Sequence, residues 1–126
     1  MKIALVEDSA MLRRLMVSRL EQACASIDVV AQAATESAAL GAIALSCPDT
    51  VLVDLHLQHG SGVGVIRSLR AMNFAGRIFV LSSEDRATYE PIVLGFGADG
   101  FYDKALDFET LINDLSNHAR SSLMAN

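Results

Sequence analysis

The chain has 126 residues, which suits one domain, and its 52% hydrophobic and 20% charged residues argue against a disordered protein. The 10 basic and 15 acidic residues give a net charge of −5, which argues against a nucleic-acid binder held by electrostatic attraction. We therefore expect one domain over residues 1–126, with no separate output domain and no nucleic-acid partner.

The first residues and the apolar runs bear on where the protein acts. Two acidic residues, Glu7 and Asp8, come too early for the apolar core and cleavage site of a signal peptide. No apolar run approaches the roughly 20 residues needed to cross a bilayer. Cys24 and Cys47 lack the spacing of a metal or redox motif, so we expect two reduced, buried thiols. These features predict a cytoplasmic protein without a membrane partner.

Short apolar runs rich in β-branched residues recur along the chain. Most are too continuous for a strand with one wet face, and they fit strands that are covered on both faces. Three clear runs and two weaker ones predict strands at residues 3–6, 27–33, 50–53, 78–81 and 100–103.

Segments with helical spacing lie between these runs. The clearest has apolar residues on one face at steps of three and four: Leu12, Leu15, Met16, Leu20 and Ala23. Further helices are predicted over residues 35–45, 63–72, 89–96 and 111–119, with N-caps at Ser9, Thr35 and Asp107. Pro91 in the fourth helix would be tolerated only in its first turn.

The alternation of strand and helix predicts an α/β fold: a doubly wound, five-stranded parallel sheet with helices on both faces. In such a sheet, ligands bind outside the carboxyl ends of the strands. Polar residues follow four of the predicted strands at that end: Glu7 and Asp8, Asp54, Ser82 and Ser83, and Asp103 and Lys104. We expect these groups to converge at one edge of the sheet.

Three carboxylates at one edge would repel one another by a few kcal/mol per pair, for a separation of about 4 Å and an effective dielectric near 20. Either some of them take up protons, or a hard divalent cation such as Mg²⁺ binds among them. With Lys104 and the Ser82 hydroxyl beside it, Asp54 has the neighbours suited to phosphoryl transfer onto a carboxylate. An ionised carboxylate is already a nucleophile, so this reaction needs no general base.

The order and spacing of these segments resemble the receiver domains of two-component response regulators, including the single-domain bacterial chemotaxis regulator. The matching segments are Val6-Glu7-Asp8, Pro48 to Leu55, Gly62 eight residues after Asp54, Val80-Leu81-Ser82-Ser83, and Gly97 to Phe101 with Lys104. The resemblance covers nearly the whole chain. It implies a flavodoxin-like fold with strand order 2-1-3-4-5.

The resemblance also implies roles for the residues at the strand ends. Asp54 would be the phosphoacceptor and Lys104 the partner of the phosphoryl group. Asp8, Glu7, Asp54 and the backbone carbonyl of His56 would hold Mg²⁺. A histidine kinase or a histidine phosphotransfer protein would donate the phosphoryl group. The protein would then be a switch, not an enzyme, because it catalyses only its own phosphorylation and dephosphorylation.

In the family that this chain resembles, a hydroxyl and an aromatic residue carry the switch. Ser82 and Phe101 stand at those positions, and the surface formed by the fourth helix, fifth strand and fifth helix would bind a downstream protein or form a homodimer on phosphorylation. His56 and Glu84 stand two places after Asp54 and Ser82, and we expect them to tune hydrolysis of the acyl phosphate. Ala105 replaces the cis proline that often follows the lysine in this family.

Two other functions remain open at this point. A Mg²⁺-dependent phosphohydrolase acting through an aspartyl phosphate would need an acid two places after Asp54, where His56 stands. A flavin or nucleotide binder on the same fold would need a glycine motif. The run Gly60-Ser61-Gly62-Val63-Gly64 has Val65 where the third glycine belongs, so we interpret it as a flexible start of the third helix.

Overall fold

The five predicted strands form one parallel sheet. The structure is a computed structural model that describes the backbone of residues 1–124 and the side chains of residues 1–121. The strands are β1 (Lys2–Val6), β2 (Asp28–Ala33), β3 (Thr50–Val53), β4 (Arg77–Ser82) and β5 (Gly100–Asp103). Their order is β2-β1-β3-β4-β5, and every neighbouring pair is parallel. The predicted fold class and strand order are confirmed.

Helices follow each strand and cover both faces of the sheet. They are α1 (Ala10–Ala23), α2 (Glu36–Ser46), α3 (Gly62–Ala71), α4 (Arg86–Gly95) and α5 (Phe108–Met124). Buried residues of α1 and α5 form one core with the sheet, whereas those of α2, α3 and α4 form the other. Among the residues that the structure describes, no helix is both long enough and apolar enough to cross a membrane.

Strand side chains alternate between the two cores, which explains the continuous apolar runs. In β1, Ile3 and Leu5 join the core of α1 and α5, whereas Ala4 and Val6 join the opposite core. All four are at most 1% exposed. A fully buried large aliphatic side chain stabilises the fold by roughly 1.5–3 kcal/mol, so both faces of the sheet contribute to stability.

The three predicted N-cap positions are confirmed, and at two of them the side chain caps the helix. Ser9 Oγ accepts a hydrogen bond from Leu12 N, and Thr35 Oγ1 accepts one from Ala38 N, each at 3.2 Å. Asp107 lies directly before α5, but its carboxylate accepts from Asp103 N at 2.9 Å and from Arg86 at 2.5 Å. Asp107 nevertheless occupies the predicted N-cap position, because its carbonyl accepts the first hydrogen bond of α5, from Leu111 N at 2.9 Å.

Helix α4 begins three residues before the predicted start at residue 89. Asp85 caps it, since Asp85 Oδ2 accepts from Thr88 N at 3.1 Å. Pro91 therefore lies beyond the first turn, inside the helix. Because proline has no backbone N–H, one hydrogen bond of the helix is not made at this position. An ion pair of 3.6 Å between Arg86 and Glu90 spans the turn before the proline.

The two cysteines differ in their surroundings. Both are free thiols, and Cys24 is buried as expected. Cys47 is exposed, so the expectation of a second buried thiol is wrong. It ends α2 in a left-handed conformation with φ of 49°, which turns the chain toward β3 and leaves the side chain at the surface.

Tyr102 on β5 is tied to α5 by a hydrogen bond of 2.8 Å to Asp114 Oδ2. Burial, that hydrogen bond and the Asp114 charge raise the pKa of Tyr102 from 10.0 to about 12. The folded state thus holds this proton more tightly than the unfolded state. Its contribution to stability is complete below pH 10 and is lost as the pH rises toward about 12.

We therefore expect tyrosinate absorbance in a Tyr89→Phe background, which leaves Tyr102 as the one tyrosine, to rise with a midpoint near 12. Asp114→Ala should lower the midpoint, since it removes both the acceptor and the charge. An unchanged midpoint in Asp114→Ala would contradict the role of this contact in holding the tyrosine proton.

Candidate functional site

The carboxyl ends of β1 and β3 bring three carboxylates together. One oxygen from each of Glu7, Asp8 and Asp54 lies within 4.8 Å of the others. Strand pairing sets this distance, because Val6 lies opposite Val53 and Asp54 N donates a hydrogen bond of 3.0 Å to Val6 O. The acidic residues that follow the two strands are therefore neighbours although they are far apart in sequence.

Lys104 enters this cluster from the end of β5. Its Nζ lies 2.7 Å from Asp54 Oδ2 and 2.5 Å from Glu7 Oε1. The side chains of Glu7, Asp54 and Lys104 are only 1%, 8% and 18% exposed. A hydrogen bond of 2.9 Å from Lys104 N to Ser82 O fixes the backbone at this point. The structure thus places the ammonium between two buried carboxylates.

Burial and neighbouring charges act in opposite directions on the pKa values of Glu7 and Lys104. Burial raises the pKa of the Glu7 carboxyl above its ordinary value, and this outweighs the lowering by Lys104 and by the Ser9 N–H. Burial lowers the pKa of Lys104, but its contacts with the Asp54 and Glu7 carboxylates outweigh this effect and leave that pKa raised. Lys104 therefore stays charged, whereas Glu7 gains a tendency to hold a proton.

The cluster fits a hard divalent cation. Glu7 Oε2 accepts a hydrogen bond of 3.0 Å from Ser9 N, but Oε1 has only its ion-pair contact with Lys104 and no hydrogen bond of good geometry. Three carboxylates face one ammonium here, which leaves two negative charges uncompensated. Oxygen ligands of this kind and charge suit Mg²⁺. The residues present thus match the cofactor that the sequence predicts.

Ser82 and Phe101 lie on the two strands beside this cluster. Ser82 ends β4 opposite Asp103, is fully buried, and its Oγ accepts a hydrogen bond of 3.0 Å from Glu84 N. Phe101 lies opposite Val80 and is 4% exposed, so its ring points into the core. Ser82 therefore lies on the strand next to β3, which precedes Asp54, and Phe101 lies one strand further along the sheet.

His56 and Glu84 meet across the edge of the site. His56 Nε2 lies in hydrogen-bonding contact with Glu84 Oε1, and this contact links the loop after β3 to the loop after β4. The His56 side chain is 71% exposed, so this contact lies at the surface of the protein. The structure brings these two predicted residues together, and it has no cis peptide bond in residues 1–124, including Lys104–Ala105.

Two arginines near the site were not singled out in the sequence. Arg13 donates a hydrogen bond of 2.5 Å to Glu7 O from α1. Arg86 lies 5.5 Å from the Phe101 ring centroid, donates to Phe101 O at 3.1 Å, and contacts Asp107. Arg86 is the first residue of α4, where a positive charge interacts unfavourably with the helix dipole. This position was a sequence signal that Arg86 has partners outside the helix.

Comparison with known proteins agrees with this geometry. A family model described as the response regulator receiver domain matches residues 3–116. The chain belongs to this family. The family predicted from the sequence is confirmed, and its receiver domains are signalling switches of two-component systems.

Individual relatives give the same result. The chain is 32% identical over 111 residues to the two-component response regulator PhoP of Pseudomonas aeruginosa, covering 88% of this chain and 48% of that protein. It is 29% identical over 122 residues to the nitrate/nitrite response regulator NarL of Escherichia coli, covering 97% and 56%. The chain thus spans about half the length of the curated relatives it matches.

A solved structure shares the fold closely. The BeF3-activated N-terminal receiver domain of Klebsiella pneumoniae RstA superimposes with a TM-score of 0.84 at 30% sequence identity. The match covers 95% of this chain and 99% of that one. The receiver therefore has the expected arrangement of sheet and helices over nearly all of its length.

Removing the ammonium should destabilise the metal-free receiver. In Lys104→Met, Glu7 and Asp54 remain buried without a cation, and we expect the free energy of unfolding in urea to fall by about 3 kcal/mol. This is the lower end for a broken buried pair, since Glu7 can take up a proton. Asp8→Asn is the control of opposite sign: it removes one repelling charge, so stability should rise and the stabilisation by Mg²⁺ should shrink. Equal stability of Lys104→Met and wild type would contradict the buried pair.

Proposed function

We propose that this receiver accepts a phosphoryl group on Asp54 in the presence of Mg²⁺ and signals through altered binding to other proteins. The donor would be a histidine kinase or a histidine phosphotransfer protein. One observation carries the proposal: the buried Asp54 carboxylate lies against the Lys104 ammonium, 2.7 Å away, within the cluster of Glu7 and Asp8.

Asp54 supplies the nucleophile for phosphoryl transfer. One carboxylate oxygen forms a bond to phosphorus while the bond from phosphorus to the donor imidazole nitrogen breaks, and the electron pair leaves with that nitrogen. Lys104 neutralises negative charge on the phosphoryl oxygens, because its Nζ already lies beside the attacking carboxylate of Asp54.

Four groups of the chain would hold the metal ion: the carboxylates of Glu7, Asp8 and Asp54 and the backbone carbonyl of His56. Mg²⁺ bound there supplies positive charge that stabilises the phosphoryl group during transfer. The Glu7 Oε1 atom supports this arrangement, because no well-directed donor gives it a hydrogen bond. It is a buried acceptor for which the protein itself provides only an ion-pair contact.

The signal would leave the site through Ser82 and Phe101. The Ser82 hydroxyl would donate a hydrogen bond to a phosphoryl oxygen, and the Phe101 ring would move inward behind it. Arg86 contacts Phe101 and Asp107 together, so a change at the ring reaches both α4 and the turn before α5. Exposed Ile92 and Leu94 on α4 offer apolar surface. We therefore place the partner-binding surface, and a phosphorylation-dependent homodimer, on α4, β5 and α5.

The two alternative functions have less support. A phosphohydrolase would need an acid two places after the nucleophile, but that residue is His56, and the relatives that the chain matches are response regulators. A flavin or nucleotide binder would need a glycine loop that leaves room for phosphate. The side chain of Glu36 instead occupies the space beside Gly60 and Gly64.

Incubation with acetyl phosphate tests the phosphoacceptor directly. We expect intact-mass spectrometry to show one phosphoryl group per wild-type chain with Mg²⁺, none with a chelator, and none in Asp54→Asn. Asp28→Asn, at an exposed aspartate of β2, is the matched control and should behave as wild type. Phosphorylation of Asp54→Asn would contradict the assignment, and repeated turnover of a phosphomonoester would favour the phosphohydrolase.

The contact of His56 with Glu84 should slow hydrolysis of the acyl phosphate, because it joins the loops after β3 and β4 next to Asp54 and would restrict the approach of water. Replacing both residues by alanine should shorten the half-life roughly fivefold, which corresponds to about 1 kcal/mol in the barrier. His59→Ala, at an exposed residue of the same loop, serves as the control. A half-life equal to that of wild type would remove this role from the pair.

A further inference from the structure

The glycine-rich run between Asp54 and α3 makes several specific hydrogen bonds and close contacts. Ser61 is the N-cap of α3, and its Oγ accepts a hydrogen bond of 3.0 Å from Gly64 N. Gly62 N donates to Leu55 O at 3.0 Å, and a Cβ at Gly62 would lie 2.2 Å from Asp54 O. The run is thus folded back against the strand end that carries Asp54.

Glu36, the first residue of α2, holds this run from the outside. Its Oε1 accepts a hydrogen bond of 3.0 Å from Ser61 N, and its backbone N–H donates to His59 O at 3.1 Å. A Cβ at Gly64 would lie 2.2 Å from Glu36 Oε1, and one at Gly60 would lie 2.4 Å from Glu36 Cβ. The two glycines therefore leave the space that the Glu36 side chain occupies.

The helix dipole of α3 also favours the contact of the Glu36 carboxylate with Ser61 N. The first turn of α3 has no acidic residue of its own, although a negative charge there would be stabilised by the helix dipole. Glu36 supplies that charge from the neighbouring helix, while it also lies in the first turn of α2. One carboxylate thus serves the N-terminal ends of two helices.

The held residue is in contact with the site. Ser61 forms an isolated antiparallel bridge with His56, whose backbone N lies 3.4 Å from Asp54 Oδ1. The His56 carbonyl is the fourth group of the proposed Mg²⁺ site. A displacement of Ser61 would therefore move a metal ligand, even though Glu36 itself does not reach the carboxylates.

We propose that Glu36 is a positioning residue for the metal site: by holding Ser61, it keeps the His56 carbonyl in place for a divalent cation. This role rests on the proposed function, since it assumes that Mg²⁺ binds at Glu7, Asp8 and Asp54. Residues that orient metal ligands through hydrogen bonds affect metal affinity without touching the ion.

Mg²⁺ titration by calorimetry of the full chain tests this role. Glu36→Ala should weaken Mg²⁺ binding about tenfold, the lower end for loss of a residue that orients a ligand. Glu36→Gln should restore affinity close to that of wild type, because its amide oxygen still accepts from Ser61 N. Glu21→Ala is the matched control, since Glu21 Oε2 likewise accepts a backbone hydrogen bond of 3.1 Å, from Val29 N, away from the site. Its affinity should be unchanged.

The Gly64→Ala variant tests the contact between Glu36 and Ser61 by a change on α3. The new Cβ would displace the Glu36 carboxylate, so this variant should lose as much Mg²⁺ affinity as Glu36→Ala, and the double variant should lose no more than either. Wild-type affinity in Glu36→Ala, or additive losses in the double variant, would overturn the role of Glu36 alone. Wild-type protein that binds no Mg²⁺ would overturn the proposed function together with this inference.

Discussion

The ion pair between Lys104 and the two buried carboxylates of Glu7 and Asp54 is the interaction on which the site depends. Each charge would be costly to bury alone, and their mutual contact makes the arrangement tolerable. The balance is nevertheless incomplete, because Asp8 adds a third carboxylate to one ammonium. The same electrostatic imbalance would limit stability without metal and would favour the proposed binding of a divalent cation.

The parallel sheet makes this concentration of charge feasible. Its two apolar cores hold strands and helices together and include none of the charged residues at the carboxyl edge. Strand register then decides which side chains meet: Val6 opposite Val53 aligns the acids, and Lys104 N bonded to Ser82 O aligns the lysine. Two contacts from helices also position groups near this edge. Arg86 lies over the Phe101 ring, and Glu36 accepts a hydrogen bond from Ser61 N.

Most of the fold could be predicted from the sequence because local signals and burial agree. Strands buried on both faces have continuous apolar runs, and Ser9 and Thr35 cap their helices through neighbours only three residues away. The convergence of residues 7, 8, 54 and 104 was also predictable, since parallel strands align their ends. The partners of Asp107 and Glu36 were not, because each reaches another element whose position depends on tertiary packing. The exposure of Cys47 likewise depends on how α2 ends.

The most direct measurement is a crystal structure of the receiver with Mg²⁺ and beryllium fluoride, which mimics a phosphoryl group. We expect beryllium on an Asp54 carboxylate oxygen, Lys104 Nζ and Ser82 Oγ in contact with fluorine atoms, and the metal ion on Glu7, Asp8, Asp54 and the His56 carbonyl. A beryllium adduct on another carboxylate, or a metal ion bound away from the Lys104 ammonium, would contradict the proposed phosphoacceptor site.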